Sequence, residues 1–251
     1  MKTNILFTLI FIGLITWKAQ AQYNQNDLVG IWQVNVPKLL KSLPESRKEK
    51  MDANQELLSI MFLSSVFQLK KDGSTITQLP SFSGNSKTKQ GKWQLVGKIL
   101  SLTNEKGKVN KMHLLEVAKD RFTAKNPDKP EQEAEFISLK PILKSMTKTN
   151  RTQATQAQLI GDWKLAAFEN KGKTFAFGIT YTLASDGTHQ ITTVLGKTDP
   201  QLNGTWKMTK KNTFEVKTPR KTSTFKIVYF TSSQMIAIDN KGEKARFDRI
   251  K

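Results

Sequence analysis

The sequence contains no cysteine and only two histidines among its 251 residues. Disulfide bonds are therefore excluded, and the stability of the fold has to come from side-chain packing. Two histidines are too few for a histidine-based metal site without help from carboxylates. On a strand, His113 and Glu116 would point to opposite faces, and His189, just past a turn, is expected to be exposed. We expect neither a metal nor a cofactor.

Motifs of the common enzyme classes are also missing. The sequence has no serine nucleophile elbow, no phosphate-binding loop and no dinucleotide-binding glycine pattern. Glu131, Glu133 and Glu135 alternate along one predicted strand, which is typical of a solvated face. Glycoside hydrolysis would need a second carboxylate across a cleft, about 5 to 10 Å away, and the sequence places none there. The chain is therefore not expected to be an enzyme.

Acidic residues are few, with 21 aspartates and glutamates against 40 lysines and arginines and a formal net charge of +19. The basic residues are spread over both halves of the chain, which favours a solvated outer surface. An anionic partner, such as an acidic polysaccharide, a lipid headgroup or a fatty carboxylate, is the alternative. No nucleic acid is expected as a partner, because the aromatic and basic pattern of single-strand binders is missing.

The longest apolar run covers residues 5–17, after Lys2, and is followed by Ala19-Gln20-Ala21. This run is shorter than the roughly 20 residues that span a bilayer, and the small residues after it suit a signal peptidase. Lys18 lies between the run and the cleavage site, which leaves a short anchor as the alternative. We expect residues 1–21 to be a signal peptide, cleaved near Ala21, and the mature chain to be a soluble periplasmic or secreted protein without a transmembrane segment.

One ordered set of motifs occurs twice in the chain. Each copy has Gly-x-Trp, then Asp-Gly, then a second Gly-x-Trp, and from the Asp-Gly onward the two copies keep nearly the same spacing. The two copies indicate two domains of one kind. The motifs are Gly30-Ile31-Trp32, Asp72-Gly73 and Gly91-Lys92-Trp93 in the first copy, and Gly161-Asp162-Trp163, Asp186-Gly187 and Gly204-Thr205-Trp206 in the second.

Each copy also contains eight short segments with the alternation of strands. In the second copy, for example, Phe177, Ile179, Tyr181 and Leu183 share one face. Eight antiparallel strands joined by hairpins leave no exposed edge if the sheet closes on itself. We therefore predict an all-β protein of two consecutive eight-stranded antiparallel barrels, with the first at 22–143 and the second at 159–251. The polar segment 144–158 between them is predicted to be a flexible linker.

The first copy is longer than the second between its first and second strands, and the extra residues predict an α-helix at about 42–62. Ser42 offers an N-cap with Glu45 three residues later, and Pro44 suits the first turn. Apolar residues such as Met61 and Phe62 recur toward one side. The helix either packs against the end of the barrel or forms a lid over a ligand-binding mouth.

These motifs resemble the lipocalin-like (calycin) domains of proteins exported by Bacteroidota, including the aromatic residues Phe136 and Phe247 in the last strand of each copy. The resemblance implies that the first-strand tryptophan closes the barrel floor and packs against a basic residue of the last strand. It pairs Trp163 with Arg249, or alternatively with Arg246. Trp32 would lack an arginine, because Ser138 and Glu135 occupy those positions, and Lys140 is the nearest substitute.

An eight-stranded barrel is either filled by its own side chains or holds one small ligand, and the bulky predicted interior favours a small cavity. We expect a monomeric, exported, non-enzymatic protein that binds a small apolar or amphipathic ligand, with the first barrel as the place to look. The alternative is an envelope module with filled barrels that binds a protein or a polysaccharide. A calycin-type isomerase or hydrolase would need a polar residue in the cavity, such as Tyr181, Tyr229 or His189. The candidate ligand-binding residues are Met61, Phe62, Trp93, Phe177, Tyr181, Trp206, Phe225 and Tyr229.

Overall fold

A computed structural model describes residues 23–79, 88–150, 152–170 and 172–250. The predicted signal peptide, 1–21, lies outside the described residues. The described residues form two closed antiparallel barrels of eight strands each, which confirms the predicted fold class.

The first barrel is built from strands that follow one another along the chain, with short helices before, within and after them. Strand β1 pairs with β2 and also with β8, and this second pairing closes the barrel. The elements are α1 (Gln25–Leu28), β1 (Gly30–Val34), α2 (Val36–Lys41), α3 (Glu45–Lys50), α4 (Ala53–Leu63), β2 (Val66–Leu69), β3 (Ser74–Gln78), β4 (Thr88–Val96), β5 (Ile99–Asn104), β6 (Val109–Val117), β7 (Arg121–Asn126), β8 (Lys129–Ser138) and α5 (Lys140–Met146).

The second barrel repeats this order without the inserted helices. Strand β9 pairs with β10 and with β16, so this sheet is closed as well. The elements are α6 (Gln156–Leu159), β9 (Gly161–Asn170), β10 (Lys173–Leu183), β11 (Thr188–Thr192), β12 (Gly204–Lys210), β13 (Thr213–Lys217), β14 (Thr222–Phe230), β15 (Gln234–Asp239) and β16 (Lys244–Arg249).

The repeated Asp-Gly and the second Gly-x-Trp belong to one local structure, seen most simply in the second barrel. Gly187 has a φ of 83°, a left-handed conformation that suits glycine, and its carbonyl oxygen accepts a 2.8 Å hydrogen bond from the backbone N–H of Trp206. The indole Nε1 of Trp206 donates to the Ala184 carbonyl at 2.9 Å. Trp93 makes the matching bonds to Gly73 and Lys70 in the first barrel. These tryptophans therefore hold the β-turn that precedes the strand next to their own, β3 in the first barrel and β11 in the second.

The insertion in the first barrel is three helices, not the single helix predicted over 42–62. Ser42 ends α2 rather than starting a helix, and Pro44 precedes α3. The longest helix, α4, starts later because Asp52 and Gln55 form a reciprocal capping box at its N-terminus. The N-cap of the longest helix is therefore Asp52, ten residues after the predicted N-cap Ser42.

The inserted helices pack against the second barrel. Val36 and Leu40 of α2 and Ile60 of α4 are almost fully buried in the hydrophobic cluster of the second barrel. Between the barrels, the side-chain amide of Gln33 donates to the Ala176 carbonyl at 2.7 Å and accepts from the Ala176 N–H at 2.8 Å. The two halves therefore share buried apolar surface and buried hydrogen bonds.

The segment between the barrels, predicted as a linker at 144–158, is also hydrogen-bonded to the second barrel. The side-chain amide of Asn150 donates to the Phe230 carbonyl at 2.8 Å and accepts from the Phe230 N–H at 3.1 Å. Further along, the Ala154 N–H donates to the side chain of Asn212 at 2.8 Å. This segment contains the end of α5 and the start of α6.

Candidate functional site

A cavity of about 750 Å³ lies inside the second barrel. Most of its wall is formed by aromatic and aliphatic side chains that point inward from the strands, as the alternation of the sequence requires. The apolar wall consists of Leu57, Met61, Leu165, Phe168, Phe177, Ile179, Ile191, Leu202, Val216, Phe225, Ala245 and Phe247.

One end of this cavity opens between loops. The loops after β13 and β15 contribute polar and charged residues to its lining, within 218–223 and 239–243. Asp239 is engaged in its own loop, where its carboxylate accepts hydrogen bonds from the N–H groups of Lys241 and Glu243 at 2.8 and 2.9 Å. The other charged side chains of this lining are three cations, Arg220, Lys221 and Lys241, and one acid, Glu243.

Helix α4 of the first half closes part of the same cavity. Leu57 and Met61, one turn apart, line the cavity, while Ile60 on the adjacent side of the helix is fully buried. Glu56 is also fully buried and fixes the helix to the loop after β11. Its carboxylate accepts a hydrogen bond from the Leu195 N–H at 2.8 Å and another from the Thr193 hydroxyl. The cavity wall is therefore built from both halves of the chain.

In the first barrel, where a ligand was expected, aromatic side chains pack against one another in the interior. Trp32, Phe67, Phe122 and Phe136 form a continuous group of aromatic rings, with Phe122 and Phe136 stacked at 4.6 Å between centroids. The second barrel contains a cavity, which is also larger than its bulky sequence predicted. The inserted helices thus extend away from their own barrel and toward the cavity of the other.

The structure brings four of the eight candidate ligand-binding residues together at this cavity, namely Met61, Phe177, Tyr181 and Phe225. The other four lie elsewhere. Trp93 and Trp206 are buried and hold turns, and Phe62 on α4 is 67% exposed. Tyr229 is covered on one face by the Lys148 ammonium, 5.4 Å from the ring centroid.

His189 lines the cavity, and its predicted exposed position is wrong. The imidazole is 2% exposed, because β11 begins at Thr188 and its second residue points inward. The alternation from Ile191 back along the strand was the signal that could have placed it there. Neither ring nitrogen has a hydrogen-bond partner in the described parts of the chain. Burial lowers the pKa of His189 to about 4 and raises the pKa of Tyr181, its neighbour at 5.5 Å between ring centroids, to about 12.

The opposite end of the second barrel is closed by a tryptophan and an arginine. The guanidinium carbon of Arg249 lies 4.4 Å from the centroid of the Trp163 ring, within range of a cation–π contact. Arg249 also donates to the Ile160 carbonyl at 3.1 Å and to the Gln158 carbonyl. The indole Nε1 of Trp163 donates to the Leu159 carbonyl at 2.8 Å.

The first barrel keeps the tryptophan and lacks the arginine. Trp32 Nε1 donates to the Leu28 carbonyl at 2.7 Å, four residues earlier, as Trp163 does in the second copy. Ser138 is the β8 residue paired with Trp32. A surface cleft of about 830 Å³ lies at this end, lined by Trp32 and Ser138 together with Asp27, Lys119, Asp120 and Lys140. The charged residues in this lining are of both signs.

The other residues considered for metal binding or catalysis, the histidines and the acidic residues, do not form a common site in the described part of the chain. Among the described residues, no group of three or more histidine, aspartate or glutamate side chains could hold a metal ion. Glu135 does not lie on a solvated face, because its carboxylate accepts hydrogen bonds at 2.7 Å from both Lys38 and Asn35 of the insertion. The bond from Lys38 lowers the pKa of Glu135. None of the helices in the parts of the chain that are described is long and apolar enough to cross a bilayer.

No protein-family model and no curated protein matches the sequence. Among solved structures, the chain is similar to the family 43 glycoside hydrolase YxiA from Bacillus licheniformis, with 12% identity, a TM-score of 0.30, and coverage of 71% of this chain and 52% of that one. It is similar to the endo-1,5-α-L-arabinanase from Thermotoga petrophila RKU-1, with 12% identity, a TM-score of 0.28, and coverage of 75% and 56%. The chain thus spans about half the length of these two. The third is the Cpx pathway activator NlpE from Escherichia coli, with 12% identity, a TM-score of 0.21, and coverage of 72% and 85%.

Proposed function

We propose that this protein is an exported, non-enzymatic binding protein of lipocalin-like type, whose second barrel binds a small apolar or amphipathic molecule. The observation that carries the proposal is the cavity of about 750 Å³ inside that barrel. Its volume is within the range of small-molecule sites, about 300 to 1,000 Å³, and its mainly apolar wall with a few polar groups is also typical of them.

The distribution of polarity in the cavity supports an amphipathic ligand. Charged groups are confined to the loops at the mouth, which include Arg220 and Lys221, while the strand residues behind them are almost all apolar. An apolar body would replace water against the strand residues and gain roughly 25 cal/mol for each Å² of apolar surface buried. A polar end of the ligand could remain in contact with the loops or reach the two polar side chains deeper in the barrel.

In this proposal the first barrel is a scaffold. Its interior contains a continuous group of aromatic side chains, and its inserted helices complete the wall of the cavity in the second barrel through Leu57 and Met61. The alternative function, binding of a protein or a polysaccharide in the cell envelope, would use the outer surface of the first barrel. The cavity gives the second barrel a different role.

Binding of the hydrocarbon fluorophore diphenylhexatriene tests the proposal. The purified protein should bind it with a rise in fluorescence, and native mass spectrometry of protein from its own host should show a bound small molecule. Ile191→Trp fills the cavity and should reduce fluorophore binding at least tenfold. Ile238→Trp is the matched control, because Ile238 is also half-buried in this barrel and does not line the cavity.

Thermal melting of both variants should first show that each is folded. The proposal is wrong if the wild-type protein binds no fluorophore and carries no small molecule, or if both folded variants bind as the wild type does.

A further inference from the structure

Two polar side chains lie next to each other in the otherwise apolar part of the cavity. Tyr181 on β10 and His189 on β11 line it, and their ring centroids are 5.5 Å apart. All other polar side chains in the lining belong to the loops at the mouth, 218–223 and 239–243.

The strand register places this pair toward the end of the barrel opposite the mouth loops. Tyr181 is paired with Trp163 on β9, at the end of the barrel that Arg249 closes. His189 is paired with Leu183, beside the turn that leads from β10 to β11. The mouth loops lie at the opposite ends of their strands, so a ligand would reach this pair with its innermost atoms.

Neither side chain has a hydrogen-bond partner within the described residues. Both ring nitrogens of His189 are buried and unpaired, and the half-buried Tyr181 packs edge-to-face against Phe247 at 5.4 Å between ring centroids. A buried polar group without a partner typically costs about 1 to 3 kcal/mol. The imidazole of His189, with Tyr181 beside it, is therefore a recognition element for a polar group of the ligand, since its binding would satisfy the imidazole.

The surroundings of the pair determine which kind of polar group fits. No acidic or basic side chain other than His189 itself lines this part of the cavity. The burial that lowers the pKa of His189 and raises the pKa of Tyr181 disfavours a charge on either group. A ligand carboxylate or ammonium would lose its hydration there without an opposite charge to compensate. An uncharged oxygen can accept from the tyrosine hydroxyl, and a ligand hydroxyl can also donate to the imidazole.

We propose that Tyr181 and His189 bind an uncharged oxygen of the ligand, an alcohol or a carbonyl, at the inner end of the cavity. The inference rests on the proposed function and narrows its ligand to amphipathic molecules that enter the barrel with a neutral polar end first.

Competition against diphenylhexatriene tests the inference, with decanol, the ketone 2-decanone and ionised decanoate as competitors. Tyr181→Phe removes only the hydroxyl and should weaken the binding of decanol and of the ketone about 3- to 10-fold, the usual effect of one hydrogen bond. His189→Phe should weaken decanol more than the ketone, because only the alcohol can donate to the imidazole. Binding of the fluorophore itself, which has no polar atom, should be unchanged in Tyr181→Phe.

Tyr229→Phe and His113→Phe are matched controls, since neither residue lines the cavity, and both should bind decanol as the wild type does. If the fluorophore binds and decanol has the same affinity in wild type and Tyr181→Phe, the inference is overturned and the proposed function stands. If decanoate loses as much affinity in Tyr181→Phe as decanol does, the assignment to an uncharged oxygen is wrong. A wild-type protein that binds no fluorophore and carries no small molecule would instead contradict the proposed function itself.

Discussion

The carboxylate of Glu56 accepts a hydrogen bond of 2.8 Å from the backbone N–H of Leu195, although the two residues belong to different copies of the repeat. Glu56 is fully buried and also accepts from the Thr193 hydroxyl. This contact fixes α4 to the loop after β11 and so holds Leu57 and Met61 at the cavity. A contact between the two halves of the chain therefore helps to position the wall of the candidate site.

Replacing Glu56 with alanine should destabilise the protein by about 2 kcal/mol. The change leaves the Leu195 N–H and the Thr193 hydroxyl without their acceptor, and a buried unpaired group typically costs about 1 to 3 kcal/mol. Urea unfolding would measure the loss. Glu49→Ala is the control, because Glu49 is exposed on the neighbouring α3 and should have almost no effect. Equal unfolding midpoints for the two variants would contradict a fixing role for Glu56.

Arg249→Ala should lower the free energy of unfolding by about 2 kcal/mol. The change removes the cation–π contact with Trp163 and two hydrogen bonds to carbonyl groups at the floor of the second barrel. The repeat supplies the control, since Ser138→Ala changes the equivalent position beside Trp32, where no arginine is present. Calorimetry of both variants checks this. A similar small loss in each would show that the arginine does not stabilise the floor.

The stability of the protein should depend on His189 in acid. Burial lowers its pKa in the folded state from 6.5 to about 4, so the unfolded chain binds a proton at a higher pH than the folded chain does. The free energy of unfolding should therefore fall as the pH drops from about 6.5 to about 4, with a contribution of about 3 kcal/mol from this group. Above pH 6.5 the contribution is constant. Tyr181 stays neutral throughout, since its pKa is raised to about 12.

Urea unfolding across this pH range should show the difference between variants. His189→Phe should lose this part of the pH dependence, and His113→Phe should keep it. A wild-type profile that is parallel to that of His189→Phe would contradict the buried, neutral imidazole.

Gly204→Ala should be more harmful than Gly242→Ala. A Cβ at Gly204 would collide with the carbonyl oxygen of Lys217 on the paired strand, which requires the backbone to shift and typically costs about 1 to 3 kcal/mol. Gly242 has a φ of 82° but open space around it, so alanine there meets only the left-handed strain of about 1 kcal/mol. Melting temperatures compare the two, and the reverse order would show that the strand spacing at Gly204 adapts.

The strands were predictable because their signal is local. The alternation from Phe177 to Leu183 and the repeated Asp-Gly turns depend on residues close in sequence, and the duplication allowed one copy to support the reading of the other. The contact of Trp163 with Arg249 was expected from the resemblance of the motifs to lipocalin-like domains. The fold class was therefore available from the sequence.

The candidate site was only partly predictable, because it depends on contacts between distant segments. The apolar residues of α4 predicted a helix with one buried face, but their periodicity does not show whether that face packs against the first or the second barrel. Glu56 follows the polar residues Asn54 and Gln55, so the sequence indicates an exposed side chain. Its burial depends on hydrogen-bond partners that lie in the other copy. His189 was misplaced since the nearby turn suggested exposure, while the register of β11 turns it inward.

The inserted helices have a consequence for what counts as one functional unit. Although each barrel closes its own sheet, the second barrel without α4 would expose the apolar surface that Leu57, Ile60 and Met61 now cover, and its cavity would lose part of one wall. A fragment limited to 152–250 would therefore contain the complete sheet of the second barrel but only part of the wall of its cavity. The two copies are two domains by topology, and under the proposed function both contribute to one binding site, so ligand affinity would depend on the whole chain.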